Sequence, residues 1–504
     1  MKTRLALDVL ITAAILGVCG DLLLRAMPWG VNVSLASLAL VAGGVVVVRR
    51  NQVAVSADAP WLALTVVLLG AAFGRHDSEM LQMLDVVALI GVLGIGALAT
   101  QGGHLWLRGT SEYAASVVRS ALHAFVGVVP LLAGDVQWSE LPRRDTLRGA
   151  RAVLLGVVLA LPLLLVFGAL FADADAVFKN VLQNLIAVNL AKAVSHVAFA
   201  GFWAVLVAGY LRGALLSHPP GAAADRGPAL GLVPVATALG LLNALFLLFV
   251  VVQARYFFGG ASFVDQTTGL TYAVYARSGF FQLVWASALV LPVLLGADWL
   301  VRRETPAHVQ AFRYLAGLLL VQLAVVMVSA LMRVRLYVAA YGLSEIRLFG
   351  TAGMIYLALL FAWFAATVLR GRRAWFASGG LVAGLTVLTA LHVVNPDAMI
   401  VRHNLARPAS ERPFDGLYAA RLGADAVPIL LEALPGLEPK ARCDVARKLL
   451  VLWGPEAHAD WRSWTWPRGA ARRLVRAHAA ELTVPCVGTA VDSAATSVTP
   501  DHTP

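Results

Sequence analysis

Charge is scarce in this chain, and so is cysteine. Asp, Glu, Lys and Arg make up 14% of the 504 residues, against about 25% in ordinary soluble domains. So low a share argues against a solvated, surface-rich soluble protein. Three cysteines, Cys19, Cys443 and Cys486, form no C-x-x-C pair, so a zinc or thiol-redox site has no support. Catalytic signatures are missing too: there is no P-loop, no H-E-x-x-H, no G-x-S-x-G and no H-x-E with cysteines. The net charge of +11 comes without a basic cluster interleaved with stacking aromatics, which sets nucleic-acid binding aside. Neither a cofactor nor a metal is expected. Lysine is rare as well, 5 residues against 35 arginines, a codon signature of a GC-rich bacterial genome.

What the chain has is apolar length. Hydrophobic residues make up 59% and the mean hydropathy is +0.76. Runs of about twenty apolar residues recur over the first 400 positions, each long enough to cross a ~30 Å hydrocarbon core as a helix. They predict spans near 5–27, 29–48, 58–74, 81–100, 152–172, 186–211, 230–254, 279–301, 309–332, 348–369 and 374–394. The first run follows Lys2 and Arg4 and carries Asp8. It reads as an uncleaved helix rather than a lipoprotein signal ending at Cys19. Segment 112–135 is apolar but broken by Arg119, His123 and Pro130. It reads as interfacial or re-entrant, with a true span as the alternative. The expected fold is an all-α polytopic bundle of about 11 spans, 12 if 112–135 crosses, with a small helical C-terminal domain.

Basic residues orient the bundle. With the N-terminus in the cytoplasm and eleven spans, inside loops hold 18 basic residues and outside loops 8. Counting 112–135 as a span reverses that bias for the later loops, so the positive-inside rule favours the C-terminus outside the cytoplasm. The chain then divides into N-terminal membrane helices (1–145), a membrane core (146–403), a soluble helical domain (404–482) and a disordered Ser/Thr/Pro-rich tail (483–504). A flexible cytoplasmic loop is expected at 216–229. The location expected is the bacterial cytoplasmic (inner) membrane.

Four stretches, in order, carry a resemblance. They are Leu170-Phe-Ala-Asp-Ala-Asp-Ala-Val-Phe178, Tyr272-Ala-Val-Tyr-Ala-Arg-Ser-Gly-Phe-Phe-Gln-Leu283, Tyr341-Gly-Leu-Ser-Glu-Ile-Arg-Leu348 and Asn395-Pro-Asp-Ala-Met-Ile-Val-Arg-His-Asn-Leu-Ala-Arg407. Over roughly residues 145–410 they resemble an uncharacterised bacterial family of polytopic membrane proteins, domain of unknown function 4173, with domain of unknown function 4153 as a close relative. The stretch Trp461-Arg-Ser-Trp-Thr-Trp466 is similar to the end of many members. The resemblance implies no activity, substrate or catalytic residue. Members often carry an acidic residue where Val274 stands, so a catalytic carboxylate at that position is excluded here.

Ionisable groups inside spans cost about 2.5–3.5 kcal/mol each at the centre on insertion scales, so each needs a reason. Asp21 and Arg25 sit one turn apart and read as a local pair, as do Asp298 and Arg302. Asp85, Lys192 and His196 form the candidate intramembrane polar site. Asp85 and Lys192 read either as a structural pair or as a relay, and the lone His196 lacks metal-ligand company. On the outer face, Arg255, Asp265, Tyr275, Arg277, Arg333, Arg335, Glu345, Arg347, Asp397 and Arg402 form either a salt-bridge network or a site for an anion, because guanidinium forks match such groups. Gly91, Gly94 and Gly96 read as close-packing positions. Expected partners are the bilayer, an anionic lipid or solute, and a protein bound through the C-terminal domain. The leading functional reading is a membrane scaffold or signalling component of the envelope. Alternatives are a transporter or flippase-like carrier and an outer-face enzyme acting on an envelope lipid or polymer.

Overall fold

The structure is a computed structural model. It describes residues 2–100, 104–138, 191–217, 231–268, 280–301, 305–408, 413–457 and 460–483, with the isolated positions 167 and 175. The side chains of 254–268 are outside that description. The expected span 152–172, the cytoplasmic loop from 218 onward, the motif at 170–178, most of the motif at 272–283 and the tail from 484 also lie outside the described residues.

Every regular element among the described residues is helical. The membrane helices are α1 (Lys2–Leu24), α2 (Val31–Arg50), α3 (Ala59–Arg75), α4 (Glu79–Gly96), α5 (Thr110–Val126), α6 (Ala191–Leu215), α7 (Leu232–Thr268), α8 (Phe280–Leu300), α9 (Pro306–Tyr341), α10 (Glu345–Thr367) and α11 (Ala374–Val394). Nine helices among the described residues are long and apolar enough to cross a membrane, or ten if a bent pair counts as one span. The apolar helix α3 is shorter than these, at 17 residues. The bent pair is α5 with 128–135, which turn by 60° about Gly127. Pro130, which cannot donate to the helical ladder, falls just after that bend.

By packing, the chain forms two compact units. One comprises residues 1–70, 89–105 and 111–220, the other 71–88, 106–110 and 221–504. In the first unit, α1 lies against α6 at close range. A Cβ at Gly17 would sit 2.5 Å from the Ala200 carbonyl and 2.7 Å from the Ala204 Cβ, so glycine is what permits the approach. The glycines of α4 divide: Gly94 touches Val117 and Gly96 touches Tyr210, while Gly91 faces open space. Asp21 accepts from Arg25 Nη2 at 2.6 Å, as its spacing predicts, and also meets His196 Nδ1 at 2.5 Å.

In the second unit, Leu239, Leu294, Leu319, Leu323 and Phe364 build one apolar core among α7–α10. Two helices outrun their apolar stretches. α7 and α9 have 37 and 36 residues, some 54 Å at 1.5 Å per residue, against a ~30 Å hydrocarbon core. The sequence ended these spans near Arg255 and Arg333 because apolarity stops there. Helical hydrogen bonding does not stop with it, and Arg333 is held by Gln253 Oε1 at 2.9 Å.

Beyond α11 the chain continues as α12 (Pro396–Leu405), a one-turn helix Gly416–Ala419, a 3-10 turn Ala424–Ala426, α13 (Val427–Ala433), α14 (Pro439–Trp453), α15 (Trp466–Ala477) and α16 (Ala479–Thr483). These elements share one core with the preceding membrane part: Leu343, Ile400 and Val401 cluster with Val427, Leu430, Val445, Leu449 and Val475. Packing is therefore continuous across the expected boundary at 403/404. Cys443 of α14 is disulfide-bonded and Cys19 is free.

Candidate functional site: a buried acid–histidine network

The second unit gathers polar groups where its helices end. Three short segments meet: the turn between α3 and α4 (76–78), the junction of α11 and α12 (392–397) and the tail segment 423–425. Asn395 makes the second segment. It adopts the left-handed conformation, φ 54°, which asparagine tolerates better than most residues. Its side-chain oxygen caps α12 at Ala398 N, with Pro396 in the first turn. Its Nδ2 then donates to Asp425 Oδ1 at 2.8 Å.

Asp425 is the hub. Its Oδ1 also meets His76 Nδ1 at 3.1 Å, and its Oδ2 accepts the Asp77 backbone N–H at 2.7 Å. Asp77 returns the contact: Oδ2 accepts from Ala424 N at 3.0 Å and Oδ1 is ion-paired to Arg468. Arg468 is itself buried and donates through Nη1 to the Ser463 carbonyl at 2.7 Å. Burial pushes the Asp77 carboxyl above the usual range, and Arg468 opposes that shift.

Beside this hub lie two further acids. Asp85, one and a half turns into α4, is 1% exposed and accepts from or donates to His392 Nε2 at 2.9 Å, according to the ring's tautomer. The rings of His76 and His392 lie 5.3 Å apart. Asp397, also 1% exposed, accepts Gly423 N at 2.9 Å. Ser78 lies close to it without good hydrogen-bond alignment. Burial, together with the negative charges of Glu345 and Asp425, pushes Asp397 up to about 7. Gly423 is required here, since a Cβ would collide with the Asp77 carbonyl and lie 2.7 Å from Asp397 Oδ2. Four buried imidazole and carboxyl atoms of the network have no hydrogen-bond partner among the described residues: His76 Nε2, His392 Nδ1, Asp85 Oδ2 and Asp397 Oδ1; Ser78 Oγ is likewise unpartnered. No group of His, Cys, Asp and Glu among the described residues has metal-binding geometry.

The sequence-derived candidates distribute unevenly over this site. Asp85 is in it, bonded to His392; Lys192 and His196 belong to the first unit, where Lys192 is exposed and His196 binds Asp21. Of the outer-face set, Asp397 is central and Glu345 acts on it by charge. Arg347 stacks over Tyr337 at 3.9 Å and donates to the Gly342 carbonyl. Arg335 and Arg402 are exposed. Tyr275 and Arg277, and the side chains of Arg255 and Asp265, lie outside the described residues. Two motifs of the sequence do meet: Asn404 bonds both Leu343 N, at 2.7 Å, and Leu343 O, at 2.9 Å. Sequence reasoning missed His76, Asp77, His392, Asn395, Asp425 and Arg468. The signal available was positional, since the first four stand at the ends of apolar runs.

These features define a multi-pass α-helical membrane protein. The chain belongs to the family described as Domain of unknown function (DUF4153), whose model matches residues 63–433. It is the relative noted beside family 4173, and the match begins well before the motif-bearing region at 145. It includes every residue of the network except Arg468. No curated protein and no solved structure matches the chain.

Proposed function

We propose that the protein is a proton-responsive scaffold or signalling component of the bacterial cytoplasmic membrane, in which the acid–histidine network holds the C-terminal helical segment on the ends of the spans. The observation carrying this reading is that Asp425, in the C-terminal segment, binds His76 and the Asp77 backbone in the α3–α4 turn. Buried groups with shifted pKa values cluster at functional sites. Asp397 faces Glu345 from α10, Asp425 and Gly423 from the tail and Ser78 from the α3–α4 turn; Glu79 lies beside Glu345, whose backbone N–H donates to the Tyr418 hydroxyl. With so many acids adjoining, ionising Asp397 strains the docked arrangement.

Orientation follows from two supports. The α3–α4 turn and residues 395–425 share one polar network, so an even number of crossings separates them. Among the described residues the helices α4, α6, α7, α8, α9, α10 and α11 supply an odd number, and the eleven-span reading of the sequence adds one further crossing, at 112–135 or 152–172. The apolar completeness of 152–172 favours that one, in line with the positive-inside count. The disulfide at Cys443 favours an oxidising compartment for the C-terminal domain.

The test is hydrogen exchange over 413–483 in the full chain in nanodiscs between pH 5.5 and 8.5. Protection falls as pH rises through about 7, and Asp397→Asn removes that pH dependence. Equal protection across the range in the parent protein refutes the reading. Labelling of Lys440→Cys, an exposed site, by an impermeant maleimide in intact spheroplasts tests the orientation separately. An outer-face enzyme is the second reading, because His76 Nε2 and His392 Nδ1 are unpartnered nitrogens on rings backed by aspartates, the arrangement of a general base.

A further inference from the structure

The C-terminal segment carries three exposed indoles close together: Trp461 is 63% exposed, Trp464 41% and Trp466 67%. Their position is fixed by Arg468. It ion-pairs with Asp77, two residues past the end of apolar helix α3, and clasps the Ser463 carbonyl between the indoles. The tryptophan loop is therefore tied to the point where a membrane helix emerges. On α15, Arg468, Arg472 and Arg476 recur every four residues and so share one face. Burial, together with the positive charges of Arg468 and Arg476, depresses Arg472 below the usual arginine range. Arg473 lies beside Trp464 over Gly469.

We propose that the surface of Trp461, Trp464 and Trp466 with Arg473 and Arg476 sits in the headgroup layer of the membrane the chain itself spans, and binds anionic phospholipid headgroups. Indoles prefer the bilayer interface because an apolar body and a polar N–H are both satisfied there. Guanidinium groups pair with lipid phosphates. The tether to Asp77 supplies the depth, and the crowded arginines supply the charge complementarity.

The full chain in nanodiscs tests this. The fluorescence lost in Trp461→Phe/Trp466→Phe, taken as a difference from the parent, is quenched by lipids brominated near the glycerol end and resists aqueous iodide. In addition, replacing zwitterionic with anionic lipid raises the thermal midpoint of the parent, and Arg473→Gln/Arg476→Gln loses that rise. Quenching of the difference signal by iodide alone places the loop in water and overturns the proposal. Quenching by neither reagent means that protein covers the loop, and also overturns it. An equal midpoint for the parent in both lipids rejects the anionic component.

Discussion

His76 and Asp425 stand 349 residues apart in the chain, yet their side chains meet at 3.1 Å. That contact ties the end of the third membrane helix to a segment beyond the last one. The C-terminal segment is thus an integral part of the second unit.

Removing Arg468 strands a buried carboxylate. Asp77 keeps only the Ala424 N–H on its side chain once the guanidinium is gone. Breaking a buried pair from one side costs about 3–5 kcal/mol, whereas replacing both partners costs far less. Arg468→Met should therefore lower the thermal midpoint in nanodiscs and expose residues 460–483 to trypsin. Adding Asp77→Asn should recover most of the loss.

The Asp397 carboxyl has a definite sign. Its folded value of about 7 lies above the ordinary 3.8, so the folded state binds the proton more tightly than the unfolded one. Stability contributed by this group is present below about pH 4 and is lost as pH rises to about 7, by roughly 1.4 kcal/mol per unit of difference at most. Asp397→Asn should flatten that slope. Unfolding midpoints of parent and variant should converge near pH 4 and separate progressively up to about pH 7, with the variant higher.

Gly423→Ala introduces a Cβ against the Asp77 carbonyl and the Asp397 carboxylate. Backbone cannot yield as a side-chain tip does, so the 423–425 turn must shift and weaken both hydrogen bonds. A loss of about 1–3 kcal/mol is expected, measured by thermal unfolding, with faster exchange of the Asp77 and Gly423 amides.

Lys192 and His392 contrast an exposed side chain with the partner of a buried one. Lys192→Gln should change stability by no more than about 0.5 kcal/mol, because the side chain is solvent- or lipid-exposed. His392→Leu leaves Asp85, 1% exposed, without its bonded partner and should cost about 1–3 kcal/mol. Equal effects in the two variants would contradict the assignment of Asp85 to His392.

Much of the architecture was legible before the fold. The expected spans at 5–27, 29–48, 58–74, 279–301 and 374–394 fall within a few residues of α1, α2, α3, α8 and α11. Apolar length is a local property, read directly from the chain. Helix ends beyond the apolar stretch were not legible: α7 and α9 continue as helix past the point where apolarity stops, and on α9 Arg333 finds Gln253. The candidate site was half legible. Asp85, Glu345 and Asp397 stood out as acids in or beside apolar runs, but a partner cannot be read from spacing when it lies hundreds of residues away.

The sequence by itself determined that this chain lives in a membrane as a helical bundle, because burial of apolar surface in lipid and internal satisfaction of the backbone leave no other solution for such runs. It also determined where charges are few enough to need explaining. Only the tertiary structure decided how those charges are satisfied. Asp85 took His392, Asp425 took His76 and Asn395, and Asp77 took Arg468. The reason is that a buried polar group must find a partner wherever the packing of helices happens to bring one, and that proximity is a property of three dimensions, not of the order of residues.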